Sequence, residues 1–219
     1  MTRIRTALRR RVDGRSDSGL TLAELMVTLV LMGVVGTLML SATVMVSRTV
    51  TNAQASGDSL DIARIGMNRM ARSIRAGIEI VRSGQANQPA IDSMGANSLT
   101  IYSSLGPSPT KITYAIDANR NLTETVVAAG GTSPYWTFTV TPKTTILAYK
   151  IPTTAPNLFS YLDANGTVLS IQSATDDATT GLVKQIQLNL QCDANPGKGV
   201  GPVTLTNTVV LPNLGVAKR

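Results

Sequence analysis

Residues 19–32 decide the fold of this chain, and they read Gly-Leu-Thr-Leu-Ala-Glu-Leu-Met-Val-Thr-Leu-Val-Leu-Met. From Leu20 to Ser47 the only ionisable side chain is Glu24. As an α-helix this segment of 28 residues would be about 42 Å long, enough to cross a bilayer. An unpaired carboxylate in hydrocarbon costs about 2.5 kcal/mol or more, so the position of Glu24 requires a physical reason.

The segment before Leu20 is strongly basic. Residues 1–19 contain six arginines against Asp13 and Asp17, which gives a net charge of +4. Basic residues beside an apolar span stay in the cytoplasm, so we expect the rest of the chain to lie outside. Without residues 1–19 the chain keeps 14 of its 20 basic and 11 of its 13 acidic side chains, a net charge of only about +3.

A basic leader ending in Gly19, followed by an apolar helix with Glu24 at its fifth position, resembles the prepilin signal of type IV pilins and pseudopilins. The resemblance implies that a prepilin peptidase cuts after Gly19 and methylates the new N-terminus at Leu20. Leu20 departs from the commonest residue of the family, phenylalanine. The resemblance also implies that Glu24 acts in assembly.

Electrostatics give an independent reason for Glu24. Cleavage would create an α-amino group at Leu20, with an ordinary pKa of about 7.7 to 8.0, and an opposite charge favours its protonated form. In a bundle of such helices, the carboxylate of one subunit can neutralise the amine of a neighbour. Each charge is costly alone, so the pair would set the register of the subunits.

Two other interpretations of the same residues remain open. Glu24 could be an interfacial residue of a plain signal anchor, extending towards the lipid headgroups. Alternatively, Ala53-Gln54-Ala55 offers a small-x-small site for cleavage of a secretory signal peptide. The uncharged run from Leu25 to Val46 has 22 residues, whereas secretory apolar regions usually have about 7 to 15. Its length favours a retained span.

The helical pattern continues beyond the apolar run, since no proline precedes Pro89. Apolar residues recur at helical spacing at Leu60, Ile62, Ile65, Met70, Ile74 and Ile78. The opposite side carries Asp58, Asp61, Arg64, Arg69, Arg72 and Arg75, which is either a solvated face or a docking face for neighbouring subunits. We therefore predict one helix from about Leu22 to Gly77, apolar in its first half and amphipathic in its second.

After Gly84 the sequence changes to short β-type runs separated by turn residues. The candidate strands are Leu99–Ser103, Lys111–Ile116, Asn121–Val127, Trp136–Val140, Thr145–Ile151, Leu158–Leu162, Leu182–Leu190 and Val203–Leu211. The candidate turns are residues 106–109, 130–134, 163–166 and 195–199. This predicts one antiparallel head, whose core requires the amphipathic half of the helix to pack on the sheet.

The predicted fold class is thus α+β, and the pilin resemblance implies a lollipop-shaped molecule. The predicted parts are a leader (residues 1–19), a transmembrane and assembly half-helix (20–47), an amphipathic half-helix (48–80) and a β-rich head (81–219). The order of the head motifs, Ser98–Tyr102, Lys111–Tyr114, Asn121–Thr123 and Leu158–Asp163 followed by Asn165-Gly166, resembles the minor pseudopilins related to the J component of type II secretion and the W-type minor pilins.

The composition argues against catalysis. The chain has no histidine, which excludes Ser-His-Asp and Cys-His systems and histidine metal sites. Cys192 is the only cysteine, and we predict a buried, inert thiol. Asp176-Asp177 and Asp163 with Asn165 could contribute to calcium sites, but a solvated loop and an Asx turn are favoured. Trp136, Tyr135 and Phe138 could form a stacking surface, but core packing is favoured. No cofactor or metal is predicted.

The resemblance therefore implies a non-enzymatic minor pilin or pseudopilin of the cytoplasmic membrane, with its leader inside and its head outside. It would then enter a pilus or pseudopilus, as a tip, initiating or low-abundance component. The implied partners are prepilin peptidase, other pilin subunits through the helix, the assembly platform with its ATPase motor, and membrane lipid before assembly. DNA is a weaker candidate, because no basic stripe with interleaved aromatics is visible. The alternative is a signal-anchored binding protein or enzyme that does not assemble.

Overall fold

The computed structural model describes residues 21–170, 173–193 and 201–212. In chain order its elements are α1 (Leu22–Arg75), β1 (Ile91–Gly95), β2 (Ser98–Ser103), β3 (Thr110–Ile116), β4 (Leu122–Ala128), β5 (Gly130–Thr132), β6 (Tyr135–Thr137), β7 (Lys143–Ala148), β8 (Phe159–Leu162), β9 (Ser173–Ala174), α2 (Asp177–Thr180), β10 (Gln185–Cys192) and β11 (Val203–Val210). One long N-terminal helix followed by antiparallel sheet confirms the α+β class.

The chain divides between Val50 and Thr51 into two compact units. Up to Val50 the described residues of α1 are exposed and predominantly apolar. This part of the helix is long and apolar enough to cross a membrane, with a mean hydropathy of 2.3 over its most apolar window. The prediction of a helix that could span a bilayer is therefore confirmed by length and composition.

The strands of the second unit form three antiparallel sheets. The largest has the order β7-β4-β3-β2-β1-β9, in which β1 to β4 form a meander and the short β5-β6 hairpin is inserted before β7. The next has the order β11-β10-β8. Alternation in β10 is regular, because Ile186, Leu188 and Leu190 are buried while the residues between them are half-exposed. The predicted two-faced strand is confirmed, although it begins at Gln185 rather than Leu182.

The C-terminal part of α1 packs on the sheets and shares one hydrophobic core with them. The buried row of the helix consists of Ala63, Gly66, Met67, Met70, Ala71, Ser73 and Ile74. It follows the i, i+3, i+4, i+7 pattern of one helical face. The predicted row was right at Met70 and Ile74 but wrong at Ile62 and Ile65, which are 37% and 67% exposed. Small residues replace them, because the backbone of the helix runs close to the sheet.

Gly66 and Gly77 mark close contacts of this packing. A Cβ on Gly66 would lie 3.4 Å from the carbonyl oxygen of Leu147 in β7. A Cβ on Gly77 would lie 3.0 Å from the Ile74 oxygen and 3.1 Å from the side chains of both Ile101 and Leu211. The helix ends at Arg75, two residues before the predicted Gly77, and the chain then passes between these side chains.

The other predicted strands match the structure to different degrees. The runs at Leu99, Lys111, Asn121, Leu158 and Val203 correspond to β2, β3, β4, β8 and β11, and their ends differ by no more than one residue. The runs at Trp136 and Thr145 are shifted towards the N-terminus, into β6 and β7. Strands β1, β5 and β9 were missed, because Asp92-Ser93 interrupts the apolar pattern of β1 and Gly130-Gly131 has turn chemistry. Predicted turn residues 195–199 lie outside the described residues.

Candidate assembly site and chemistry of the head

The candidate assembly site is the N-terminal end of α1. The Thr21 oxygen Oγ1 accepts a hydrogen bond from the Glu24 N–H at 3.3 Å, and the Thr21 carbonyl accepts one from the Leu25 N–H at 3.1 Å. Thr21 is therefore the N-cap residue, and Glu24 lies in the first turn of the helix. Gly19 and Leu20, the predicted processing residues, lie outside the described residues.

Thr21 and Glu24 have the spacing of a capping box, Thr-x-x-Glu, which the sequence interpretation missed. A carboxylate in the first turn also interacts favourably with the helix dipole, by about 0.3 to 1 kcal/mol. These local terms are smaller than the cost of about 2.5 kcal/mol or more for an unpaired carboxylate in hydrocarbon. Capping alone therefore does not account for placing Glu24 on an apolar span.

The polar side chains of the apolar half are satisfied within the helix. Thr28, Thr37, Ser41 and Thr43 donate hydrogen bonds of 2.8 to 2.9 Å to carbonyl oxygens three or four residues earlier. Such bonds remove the penalty of placing hydroxyl groups in lipid. Within the apolar half, Glu24 therefore remains the side chain that is costly to place in a bilayer.

The candidate secretory cleavage site, Ala53-Gln54-Ala55, lies inside α1 and is helical. Gln54 is exposed and the helix continues for a further twenty-one residues to Arg75. The three residues belong to the unit that begins at Thr51. Cleavage after Ala55 would cut through a continuous helix whose later turns contribute Met67, Met70 and Ile74 to the core of the head.

The aspartates considered for calcium have other partners. Asp176 caps α2 by accepting a hydrogen bond of 2.8 Å from the Thr179 N–H, and hydrogen bonding to Thr179 lowers the pKa of its carboxyl. Asp177 forms an ion pair of 2.5 Å with Arg82. Asp163 accepts hydrogen bonds of 2.8 Å from the N–H groups of Asn165 and Thr167, which is an Asx turn. Among the described residues, no group of three potential metal ligands is found.

Cys192 is 3% exposed at the end of β10. Burial raises the pKa of its thiol to about 11, so the thiolate is scarce at neutral pH. The prediction of a buried thiol is confirmed.

The aromatic residues in and directly after β6 differ in their surroundings. Phe138 packs against Tyr102, with ring centroids 4.9 Å apart, and joins a small cluster with Ile78 and Ile80. Tyr135 is exposed and Trp136 is half-buried. Core packing is therefore right for Phe138 and wrong for Tyr135.

A buried carboxylate that the sequence interpretation missed lies on β4. Glu124 is 2% exposed, forms an ion pair of 2.5 Å with the half-exposed Arg69 of α1, and accepts a hydrogen bond of 3.0 Å from the Tyr114 hydroxyl. Burial raises the pKa of Tyr114 above its ordinary range. Glu124 lies on the same inward face of β4 as Leu122 and Val126. The two-residue period of a strand could therefore have indicated that this carboxylate is buried. This ion pair joins the helix to the sheet.

An open groove of about 600 Å³ lies beside this ion pair. Its lining includes Ile65 and Arg72 of α1, Leu105 before β3, Ile112 of β3 and Val126 of β4, together with Arg69 and Glu124 of the ion pair. The walls are mainly apolar. A groove of this kind could receive an apolar side chain.

No model of a known protein family matches this sequence, and no curated protein is significantly similar to it.

Proposed function

We propose that this protein is a minor pilin or pseudopilin, processed after Gly19 and assembled into a pilus or pseudopilus. The observation that supports the proposal is the position of Glu24, the only ionisable side chain of the apolar half of α1, in the first turn of that helix. A membrane anchor needs no such residue. A subunit that pairs Glu24 with the amine of a neighbour uses it to set the register.

The proposed sequence of events combines what the pilin resemblance implies with the chemistry of the helix. The subunit first resides in the cytoplasmic membrane with its head outside, where lipid solvates the apolar run. Prepilin peptidase removes the leader and methylates Leu20. Leaving the bilayer exposes the uncharged, predominantly apolar run of 22 residues from Leu25 to Val46, so extraction must be coupled to burial against other subunits. An assembly platform and its ATPase motor would supply that coupling.

The decisive measurement is the intact mass and N-terminal sequence of the protein recovered from membranes, with and without the prepilin peptidase of the host. We expect a start at Leu20 with one added methyl group only when the peptidase is present. A start at Met1 in both strains, or a start at Ser56, would refute the proposal. The first result would favour a plain anchor and the second a secreted head.

A second experiment tests the role of Glu24. We expect Glu24→Gln, which keeps the size of the side chain but removes its charge, to abolish incorporation into fibres while leaving cleavage after Gly19 intact. Asp58→Asn is the matched control, because it removes an exposed carboxylate from the same helix outside the apolar run. Equal incorporation of Glu24→Gln and Asp58→Asn would refute the assembly role.

The groove beside Arg69 favours one alternative, a membrane-anchored binding protein that does not assemble. That alternative predicts an intact leader and full tolerance of Glu24→Gln. The two experiments above therefore separate it from the pilin proposal.

A further inference from the structure

Strand β11 lies at the edge of its sheet. It ends the sheet of order β11-β10-β8, so among the described residues β10 is its one strand neighbour. It has eight residues, Val-Thr-Leu-Thr-Asn-Thr-Val-Val, with no charged side chain. Pro202 precedes it and Pro212 follows it closely, but neither lies within the strand. A long, uncharged edge strand is a template for pairing with another chain.

The other sheet edges in the described part of the chain are protected. β7 begins with Lys143, and an edge lysine opposes pairing. β8 has only four residues, and Leu162 at its end bridges to Val168. β9 has two residues, and β5 and β6, which both lie at edges of their two-stranded sheet, have three each. Among the edge strands that the structure describes, β11 is the longest, and it has no charged side chain.

The hydrogen-bond pattern shows which groups of β11 face outward. The Leu211 N–H donates to the Lys184 oxygen at 3.0 Å, and the register pairs Val210 with Gln185 and Val209 with Ile186. In an antiparallel pair, bonding alternates along the strand, so the odd-numbered residues of β11 bond to β10. The N–H and C=O groups of Thr204, Thr206, Thr208 and Val210 consequently point away from it.

The core is also incompletely covered at this edge. In β10 the inward residues Ile186, Leu188 and Leu190 are fully buried. In β11 the inward Val209 is fully buried, whereas Leu205 and Asn207 are half-exposed. A further strand beside β11 would cover Leu205 and bond its outward backbone groups.

We propose that β11 pairs with β11 of a second copy of this chain, antiparallel, with Asn207 opposite Asn207. This register places outward-bonding residues opposite each other, Thr204 with Val210 and Thr206 with Thr208, and it allows eight backbone hydrogen bonds. On the inner face it places Leu205 opposite Val209, an apolar pair at both ends. Because the strand is uncharged, self-pairing brings no like charges together. The inference does not depend on processing after Gly19.

Disulfide trapping of full-length protein in intact cells tests the register. Two differently tagged copies are co-expressed, one with Thr204→Cys and one with Val210→Cys, and the cells are treated with a mild oxidant. Both residues are exposed, and Thr204→Cys removes the hydrogen bond of 3.1 Å that the Thr204 hydroxyl oxygen accepts from the Gln191 side-chain amide. The Cα atoms of such a bonded pair would be about 5.5 Å apart, within disulfide range. When either variant is expressed alone, both chains carry the same cysteine. The two cysteines are then offset by six residues along the paired strands, which is about 20 Å at about 3.3 Å per residue.

We expect the mixed pair to yield about tenfold more covalent dimer than either variant alone, because disulfides require this short separation. Adding Thr206→Pro to both copies should remove the dimer, since it deletes an outward N–H, whereas Thr206→Val should keep it. Cys192 is buried and present in every variant, so any background dimer that it forms is the same in all of them.

Either of two results overturns the inference. The first is that no mixed dimer forms although both copies are present at wild-type levels. This includes the case in which a disulfide-linked adduct with another protein appears instead. The other is equal dimer from the single variants, which would indicate random collision. Repeating the trapping without prepilin peptidase separates this outcome from that of the pilin proposal, because pairing through β11 should persist with an uncut leader.

Discussion

The packing of α1 on the sheets can be tested with two isoleucines of the same helix. Ile74 is 0% exposed in the shared core, whereas Ile65 is 67% exposed beside the groove. Ile74→Ala removes three buried carbons, worth about 2.4 kcal/mol at about 0.8 kcal/mol each. The cavity left behind raises the loss to about 3 kcal/mol, within the usual range of about 2 to 5. We expect Ile65→Ala to change stability by less than about 0.5 kcal/mol.

The assay is urea unfolding of the full-length protein in detergent micelles, followed by the fluorescence of Trp136, the only tryptophan. With a slope of about 2 kcal/mol per molar urea, Ile74→Ala should lower the midpoint by about 1.5 M. Both variants replace isoleucine by alanine in one helix, so the change in helix propensity cancels. Equal midpoint shifts, or a shift below about 0.25 M for Ile74→Ala, would refute the assigned buried face.

Three further predictions concern the head. Arg69→Met should lower the free energy of unfolding by about 1 to 3 kcal/mol, because it leaves Glu124 buried without its cation. Adding Glu124→Gln should restore part of this loss. A double variant that is no more stable than Arg69→Met would contradict the pairing. Iodoacetamide at pH 8 should label Cys192 slowly in the folded protein and rapidly in urea, because burial raises the pKa of the thiol to about 11. The labelling rates are measured by mass spectrometry, and equal rates in the two conditions would contradict the burial of the thiol. The pKa of Asp176 is lower in the folded state than its ordinary value of 3.8. Its stabilisation of α2 is therefore present above pH 3.8 and is lost as the pH falls through the folded pKa. Asp176→Asn should remove this pH dependence from the amide hydrogen exchange of Thr179.

The sequence was informative where one short-range pattern specified the structure. The uncharged run after Glu24 predicted a helix long enough to span a bilayer, because length and hydropathy alone set that property. The alternation around Leu188 predicted a strand with one buried face, because the side chains of a strand alternate.

The sequence was less informative where the helix meets the sheet. Ile65 is more hydrophobic than Ala63 or Gly66, yet Ile65 faces the groove and the two small residues face the sheet. The helical period allowed either the face with Ile65 or the face with Ala63 and Gly66 to be buried. The close approach of the helix to Leu147 selected the face with the small residues. The ion pair of Glu124 with Arg69 was missed for a similar reason, because the two residues are distant in sequence.

By itself, the sequence determined the apolar helix with its single carboxylate, the α+β class and the positions of most strands, since these depend on residues near each other along the chain. Only the tertiary structure decided which face of α1 is buried, how Arg69 and Tyr114 meet Glu124, and that β11 is left at an edge. The physical reason is that these features depend on contacts between distant segments. Such contacts are selected by packing and by pairing of backbone and charged groups, for which a local pattern offers several solutions.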